Sequence, residues 1–92
     1  MEIIKNRYGV DRVYEKLDSN RIRVMGESLI TRGSEDEEGK QTMFDFEGGP
    51  CFNVGGNVNY LNQDFKITGI IPEKGKEVDE VTIASVILEV TL

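Results

Sequence analysis

The sequence contains no histidine and only one cysteine, Cys51. Without histidine, the chain lacks the side chain that most often acts as a general base near neutral pH, and also the commonest metal ligand. Cys51 has no histidine to activate it as a nucleophile, so we interpret it as a small buried hydrophobic residue. The serines and carboxylates fall in no recognised catalytic spacing. We therefore predict a protein that is not an enzyme and that has no cofactor and no metal site.

The single cysteine also excludes a disulfide within the chain, whereas small secreted domains usually carry several. Residues 1–5 contain only a short apolar pair and a lysine, from which we expect neither a signal peptide nor a membrane span. We therefore expect a cytoplasmic protein. The 92 residues fit one domain, which we predict to span 1–92.

Basic side chains are scarce, and the net charge is −6. This balance argues against direct nucleic-acid binding, which needs clustered lysine and arginine to displace counterions. The charge is unevenly distributed: residues 1–33 are net +2 and contain all five arginines, whereas residues 34–92 are net −8. The asymmetry predicts a basic patch held apart from an acidic surface.

The apolar pattern changes about every ten residues and is interrupted by turn residues, as in an all-β chain. We predict a small barrel or sandwich of six to seven mostly antiparallel strands. Residues 21–25 alternate strictly after the turn at 18–20, which indicates a hairpin with residues 10–17. Those residues also fit a short helix, because Val10, Val13, Tyr14 and Leu17 fall at helical spacing.

Three later segments complete the predicted sheet. Apolar and polar residues alternate over 41–46 and again over 63–71, where Ile71 is on the face of Phe65. Pro72 ends that strand, and a turn follows at 73–76. Residues 78–92 form the longest apolar run. The last strand is apolar on both faces, which is typical of a central strand or of one covered by a second copy of the chain. The predicted core residues are Phe44, Phe46, Phe65, Ile67, Val86 and Leu88.

The arginines suggest a first candidate site. Arg21 and Arg23 lie two residues apart on one strand and so share a face. With a turn at 18–20, Glu15 lies across from Arg23, and an ion pair would explain that residue without a ligand. The planar guanidinium also suits phosphate or carboxylate, so the alternative is an anionic ligand held by Arg12, Arg21 and Arg23.

The glycine-rich segment 48–57 suggests a second part of that site. Its two Gly-Gly pairs allow close approach of the backbone to a ligand, although no phosphate-loop signature is present. Asn53, Asn57 and Tyr60 would orient or stack on a nucleotide-like anion. Tight β-turns account for the same glycines without a ligand.

The contiguous acidic run 35–38 differs from a calcium loop, in which ligands alternate around a sharp turn. A solvated loop tip explains it. The alternative is a charged surface that attracts a basic protein partner.

In its length, its acidity, its β pattern and its lack of catalytic side chains, the chain is similar to small phage-encoded inhibitors of bacterial defence or host enzymes. The resemblance covers no motif. It implies a non-catalytic binding protein that either sequesters a small nucleotide-like anion or blocks a basic host protein. A structural, self-assembling subunit of a phage particle or other complex is the alternative. We also predict a homo-oligomer formed through the C-terminal strand, since a long uncovered apolar edge invites pairing.

Overall fold

A computed structural model describes residues 2–5, 11–27, 31–46, 49–78 and 81–92 of the chain. These residues form strands and turns without a helix, which confirms the all-β prediction. The nine strand segments, some of only three or four residues, are β1 (Glu2–Lys5), β2 (Asp11–Asp18), β3 (Arg21–Glu27), β4 (Thr31–Glu35), β5 (Gln41–Phe46), β6 (Cys51–Asn53), β7 (Asn57–Tyr60), β8 (Gln63–Val78) and β9 (Val81–Thr91).

The strands form two sheets. The larger sheet has the order β1-β2-β3-β9-β8-β7 and the smaller one the order β4-β5-β6. Every pairing between the described strands is antiparallel. The larger sheet is curled into a half-barrel, and its end strands β1 and β7 do not pair with each other among the described residues. The prediction of a closed barrel or a sandwich is therefore wrong, and an open curled sheet with a small second sheet takes its place.

Residues 11–17 of the segment that also fitted a helix lie on the strand β2, whereas Val10 is outside the described residues. The partner of β2 is β3, and the two place Tyr14 opposite Val24 and Glu15 opposite Arg23. The helical spacing of apolar residues is overridden because β3 needs a partner on this edge. The predicted hairpin and its register are both confirmed.

The core lies on the concave face of the larger sheet and is covered by aromatic residues of the smaller one. Phe46 is 1% exposed and lies edge-on to Phe44, with ring centroids 5.0 Å apart. Phe52 on β6 makes an edge contact with Tyr14 on β2, so aromatic packing joins the two sheets. All six predicted core residues are buried: Phe44, Phe46, Phe65, Ile67, Val86 and Leu88.

A β-bulge at Thr68 changes the faces of β8. Ile67 pairs with Val90, but the next paired residue is Gly69, so the alternation shifts by one position. Beyond the bulge Ile70 is buried, whereas Ile71 is 46% exposed. The prediction that put Ile71 on the buried face and Ile70 opposite is therefore wrong.

Pro72 does not end the strand, contrary to our prediction. It lies within β8 opposite Val86, and the strand continues through the predicted turn at 73–76. Its neighbour β7 pairs only with residues 63–66 of β8. Among the described residues, no strand pairs with β8 at Pro72 on the edge away from β9. A proline, which has no N–H to donate, is tolerated next to such an unpaired edge.

The strand β7 was not predicted, because it is short and is enclosed by turns. Its hairpin with β8 turns at Leu61 and Asn62, whose φ angles are 50° and 65°. Asn is one of the residues that tolerates this left-handed region. The position of β7 places Val58 and Tyr60 in the core.

The C-terminal strand β9 is central, as its apolar pattern predicted. It pairs along one edge with β3 and along the other with β8. A second copy of the chain therefore finds no free edge on β9, so self-association through this strand can involve only its outer face.

Replacing Phe44 with alanine should lower the free energy of unfolding by about 3–5 kcal/mol, since it removes a buried ring and leaves a cavity. Chemical denaturation followed by circular dichroism measures this loss. Ile71→Ala is the matched control, and we expect it to cost less than about 1 kcal/mol because its side chain is largely exposed. A loss below about 1 kcal/mol for Phe44→Ala would contradict the core described above.

Candidate functional site

The first residue of the predicted anion site, Arg12, lies inside the protein. It is 2% exposed on the concave face of β2. The centre of its guanidinium is 5.2 Å from the ring centroid of Phe46, a distance at which the cation is attracted to the aromatic face. The long alkyl part of the side chain adds to the packing of the core. Arg12 therefore contributes to the join between the two sheets and is shielded from solvent.

Arg21 and Arg23 lie on the opposite, outer face of the larger sheet, since side chains alternate along β3. Arg21 Nε donates a hydrogen bond of 2.7 Å to Asp18 Oδ2 at the β2–β3 turn. The Asn20 amide, followed by the Arg21 guanidinium, lowers the pKa of Asp18. The side chains of Arg21 and Asp18 are both about half exposed. Arg21 therefore already holds a carboxylate at the end of its own hairpin.

The chief partner of Arg23 is Glu73 on β8, beyond the intervening strand β9. Arg23 Nε donates to Glu73 Oε1 at 2.7 Å and Nη2 donates to Oε2 at 3.3 Å, a bidentate arrangement. Ser85 Oγ donates to the same Oε1 at 2.6 Å. The predicted partner, Glu15, lies opposite Arg23 but at the longer distance of 3.9 Å. Carboxylates of this chain thus occupy the anion-binding side of Arg23.

The same contacts shift the ionisation of this pair. The hydrogen bond from Arg23 and then that from Ser85 lower the pKa of Glu73. The hydrogen bond to Glu73 raises the pKa of Arg23. Glu73 is therefore ionised, and its bond to Arg23 is charge-assisted, throughout the neutral range.

The glycine segment uses its amides within the chain. Gly55 N–H donates to the carbonyl of Ile67 and Gly56 N–H donates to that of Asn53, each at 2.9 Å. Gly49 N–H donates to Phe46 O at 2.8 Å. Gly49 and Gly55 have φ angles of 92° and 88°, which glycine adopts without strain. Gly49, Gly55 and Gly56 therefore lie in turns, and their amides are hydrogen-bonded to backbone carbonyls rather than available to a phosphate. Gly48 lies outside the described residues.

The other three predicted ligand residues are in separate surroundings. Asn53 is exposed at the end of β6, Asn57 is exposed on β7, and Tyr60 is 7% exposed in the core. In the larger sheet, β9 and β8 lie between β3 and β7, which separates these strands by about 14 Å at the usual interstrand spacing. The structure does not bring the six predicted residues together on one face. Their binding of an anion stays a prediction.

The acidic run forms the tip of the β4–β5 hairpin, and Asp36 gives the turn its shape. Asp36 Oδ1 accepts hydrogen bonds from the amides of Glu38 and Lys40, both at 2.9 Å. The Asp36 amide in turn donates to Lys40 O at 2.9 Å. Glu35, Glu37 and Glu38 are exposed. The tip is therefore an ordered turn whose other carboxylates face solvent.

Two clefts adjoin the bulge at Thr68. The hairpin cleft has a volume of about 400 Å³ and lies between the acidic hairpin and β8. The turn cleft has a volume of about 490 Å³ and lies beside the β2–β3 turn. Thr68 and Glu89 line both clefts. The other residues of the hairpin cleft are Asp36, Lys40, Gln41, Thr42, Val54, Gly69, Ile70 and Ile71.

Glu89 lies between Arg21 and Gly69 in the register of the larger sheet. A Cβ built on Gly69 would overlap the Glu89 carboxylate, so this carboxylate extends over β8 rather than towards Arg21. The sequence offered one signal for this arrangement, because a glycine within a strand often marks a bulge or a close approach. Glu89, Thr68 and Gly69 are not among the predicted site residues.

The remaining chemistry of the described surface is limited. Cys51 is exposed, so its interpretation as a buried residue is wrong. It is the first residue of β6, where side chains point alternately to solvent and to the core. Within the ranges the structure describes, no group of three or more histidine, cysteine, aspartate or glutamate side chains could hold a metal ion. The same ranges contain no helix long and apolar enough to cross a membrane.

No protein family model, curated protein or solved structure has a significant match to this chain. We therefore infer the function from the geometry of the acidic hairpin and of the two clefts.

Replacing Glu73 with glutamine should lower the free energy of unfolding at pH 7, because it removes the charged acceptor of Arg23 and Ser85. The pKa of Glu73 is lower in the folded protein than in the unfolded chain. The pair therefore stabilises fully above the ordinary glutamate pKa of about 4.3, and this contribution is lost as the pH falls through the folded value.

Thermal unfolding of both proteins between pH 7 and pH 2.5 measures the difference, which should shrink in the acidic part of this range. Glu37→Gln, an exposed residue of the hairpin tip, is the control and should leave the unfolding temperature unchanged. A Glu73→Gln difference that stays constant down to pH 2.5 would show that the ion pair is not its cause.

Proposed function

We propose that the protein is a non-catalytic binding protein that recognises a basic surface of another protein through its acidic β4–β5 hairpin. The observation that carries the proposal is the tip of this hairpin, where an ordered turn presents the exposed carboxylates of Glu35, Glu37 and Glu38. An ordered turn loses little conformational entropy on binding, which favours affinity. Clustered charge of one sign also accelerates encounter with a partner of opposite charge.

The surroundings of the arginines favour this mode over the sequestration of a nucleotide-like anion. Arg21 and Arg23 hold Asp18 and Glu73, and Arg12 is buried. An anion would have to displace these carboxylates and to overcome the field of a chain with net charge −6. Anion sequestration is thus the less supported of the two binding modes.

A setting that agrees with the proposal is the cytoplasm of a bacterium, where such a protein would act as a phage-type inhibitor of a host defence protein. The free thiol of Cys51 on the surface is compatible with a reducing compartment, where thiols stay reduced. An acidic protein that covers a basic site can inhibit without any chemistry of its own, simply by excluding the normal ligand of that site.

Self-association is a second proposal, and the outer face of the larger sheet supports it. Ile87 of β9 and Ile71 of β8 lie next to each other on this face. Ile87 is half-buried, and Ile71 is 46% exposed. A second copy that covered this apolar surface would leave the hairpin tip accessible. It would also cover Ile71, which lines the hairpin cleft, so self-association through this face and binding in that cleft are mutually exclusive. A structural subunit that assembles through the same face is the corresponding alternative to an inhibitor.

Calorimetry against two sets of ligands tests the binding mode. One set contains mono-, di- and cyclic nucleotides, and the other contains cationic peptides rich in arginine and lysine. We expect heat only with the cationic peptides. Replacing Glu35, Glu37 and Glu38 together with glutamine should weaken their binding by more than tenfold at low salt, or about 1.4 kcal/mol, because it removes three charges from the contact surface.

The control for this variant removes three charges elsewhere, through Glu15→Gln, Asp45→Asn and Asp64→Asn. It has the same net charge, so an equal loss of affinity in both triple variants would mean that overall charge, and not the hairpin, attracts the peptides. Binding of a nucleotide, with no heat from any cationic peptide, would contradict the proposal.

Sedimentation equilibrium tests self-association through the outer face. We expect a species of twice the 10.4 kDa chain mass at high micromolar concentration, and a monomer for Ile71→Glu, since a charge at this position opposes burial of the face. Leu61→Glu, an exposed turn residue between β7 and β8, is the control and should leave the mass unchanged. A monomeric parent protein would contradict this proposal.

A further inference from the structure

The hairpin cleft has the composition of a site for one long cationic side chain. Its walls include the exposed apolar residues Val54 and Ile71, which are 43% and 46% exposed. Its charged groups are Asp36, Lys40 and Glu89. Lys40 Nζ lies 3.7 Å from Glu38 Oε2, so an acid outside the cleft offsets its charge. The cleft therefore combines apolar walls with an excess of negative charge.

Glu89 is the carboxylate best placed to accept a hydrogen bond from an incoming group. Asp36 already uses Oδ1 for the amides of Glu38 and Lys40. Glu89 is exposed, and neither of its carboxylate oxygens has a hydrogen bond or an ion pair among the described residues. Arg21 stands opposite Glu89 on β3, yet it bonds to Asp18, while the Glu89 carboxylate lies over Gly69.

The absence of a side chain at Gly69 is what permits this position of Glu89. A Cβ at Gly69 would overlap Oε1 of Glu89 and lie in tight contact with its Cδ. Gly69 is not among the glycines with positive φ, so an alanine there would meet no backbone strain. The glycine thus makes space for the Glu89 side chain. A substitution at Gly69 on β8 can therefore move the carboxylate of Glu89 on the neighbouring strand β9.

From these observations we propose that the hairpin cleft binds an arginine side chain of the partner protein, with Glu89 as the carboxylate that accepts its guanidinium. The proposal rests on the proposed function and names the side chain that the partner supplies. Arginine is favoured over lysine because its planar guanidinium can form two parallel hydrogen bonds with one carboxylate. Its alkyl part can pack against Val54 and Ile71. A cleft of about 400 Å³ lies within the usual range for ligand sites of roughly 300–1,000 Å³.

A nuclear magnetic resonance titration tests the assignment with a defined probe, a ten-residue peptide of alternating arginine and glycine. Two further peptides replace each arginine with lysine or with citrulline, which keeps the shape of arginine but has no charge. We expect the arginine peptide to shift the amide signals of Val54, Thr68 and Gly69, the lysine peptide to bind at least threefold more weakly, and the citrulline peptide not to bind.

Variants of the cleft separate this assignment from the proposed function. Glu89→Gln and Gly69→Ala should each weaken the arginine peptide at least fivefold, the first by removing the charge and the second by displacing the carboxylate. Asp64→Asn removes one exposed charge from the β7–β8 hairpin, outside both the cleft and the acidic hairpin tip, and should change the affinity by less than twofold.

Three results would overturn the assignment. Unchanged affinity in Glu89→Gln, with signal shifts confined to residues 35–38, would retain the acidic hairpin as the binding surface and reject the cleft. No shift with either cationic peptide would reject both the cleft and the proposed function. Equal binding of the lysine and arginine peptides would also overturn the specific role of the guanidinium.

Discussion

The fold depends above all on the position of β9, which is hydrogen-bonded along both edges and buried along its inner face. The residues Val86 and Leu88 are fully buried in the middle of this strand, and β3 and β8 continue the sheet on either side of it. Among the described residues, six of the seven strand pairings join strands that follow each other in the sequence, and the pairing of β3 with β9 joins distant ones. Closing the long loop between β3 and β9 costs entropy, which slows the formation of this pairing relative to that of the hairpins.

The candidate site follows from this arrangement, since the inner face of the curled sheet is used entirely for packing. Polar groups are left to the outer face, the turns and the hairpin of the smaller sheet. On the outer face, Arg23 of β3 pairs with Glu73 of β8 across the intervening strand β9. Among the described residues, the cation paired with the acidic hairpin tip is Lys40, whose Nζ lies 3.7 Å from Glu38 Oε2, and Glu89 has no ion pair. These carboxylates therefore remain the groups most available to another molecule.

The residues themselves predict a large part of the fold, wherever a local pattern decides the outcome. Alternation alone placed Phe44 and Phe46 in the core, and the turn at 18–20 placed Glu15 opposite Arg23. Patterns fail where the deciding partner is distant in the sequence. Arg12 resembles a surface residue until Phe46 from the other sheet is placed beside it, and the availability of Glu89 depends on how Arg21 and Gly69 are arranged around it.

The bulge at Thr68 changes the outer surface of the larger sheet and leaves the pairing of its strands unchanged. If Thr68 were deleted, Ile67, Gly69 and Ile70 would alternate regularly, and each would keep its present face and its present partner on β9. The sheet therefore does not need this residue for its register. The inserted residue adds an exposed side chain that lines both clefts. The outer surface at this point can thus gain or lose a residue without any change in the order of the strands beneath it.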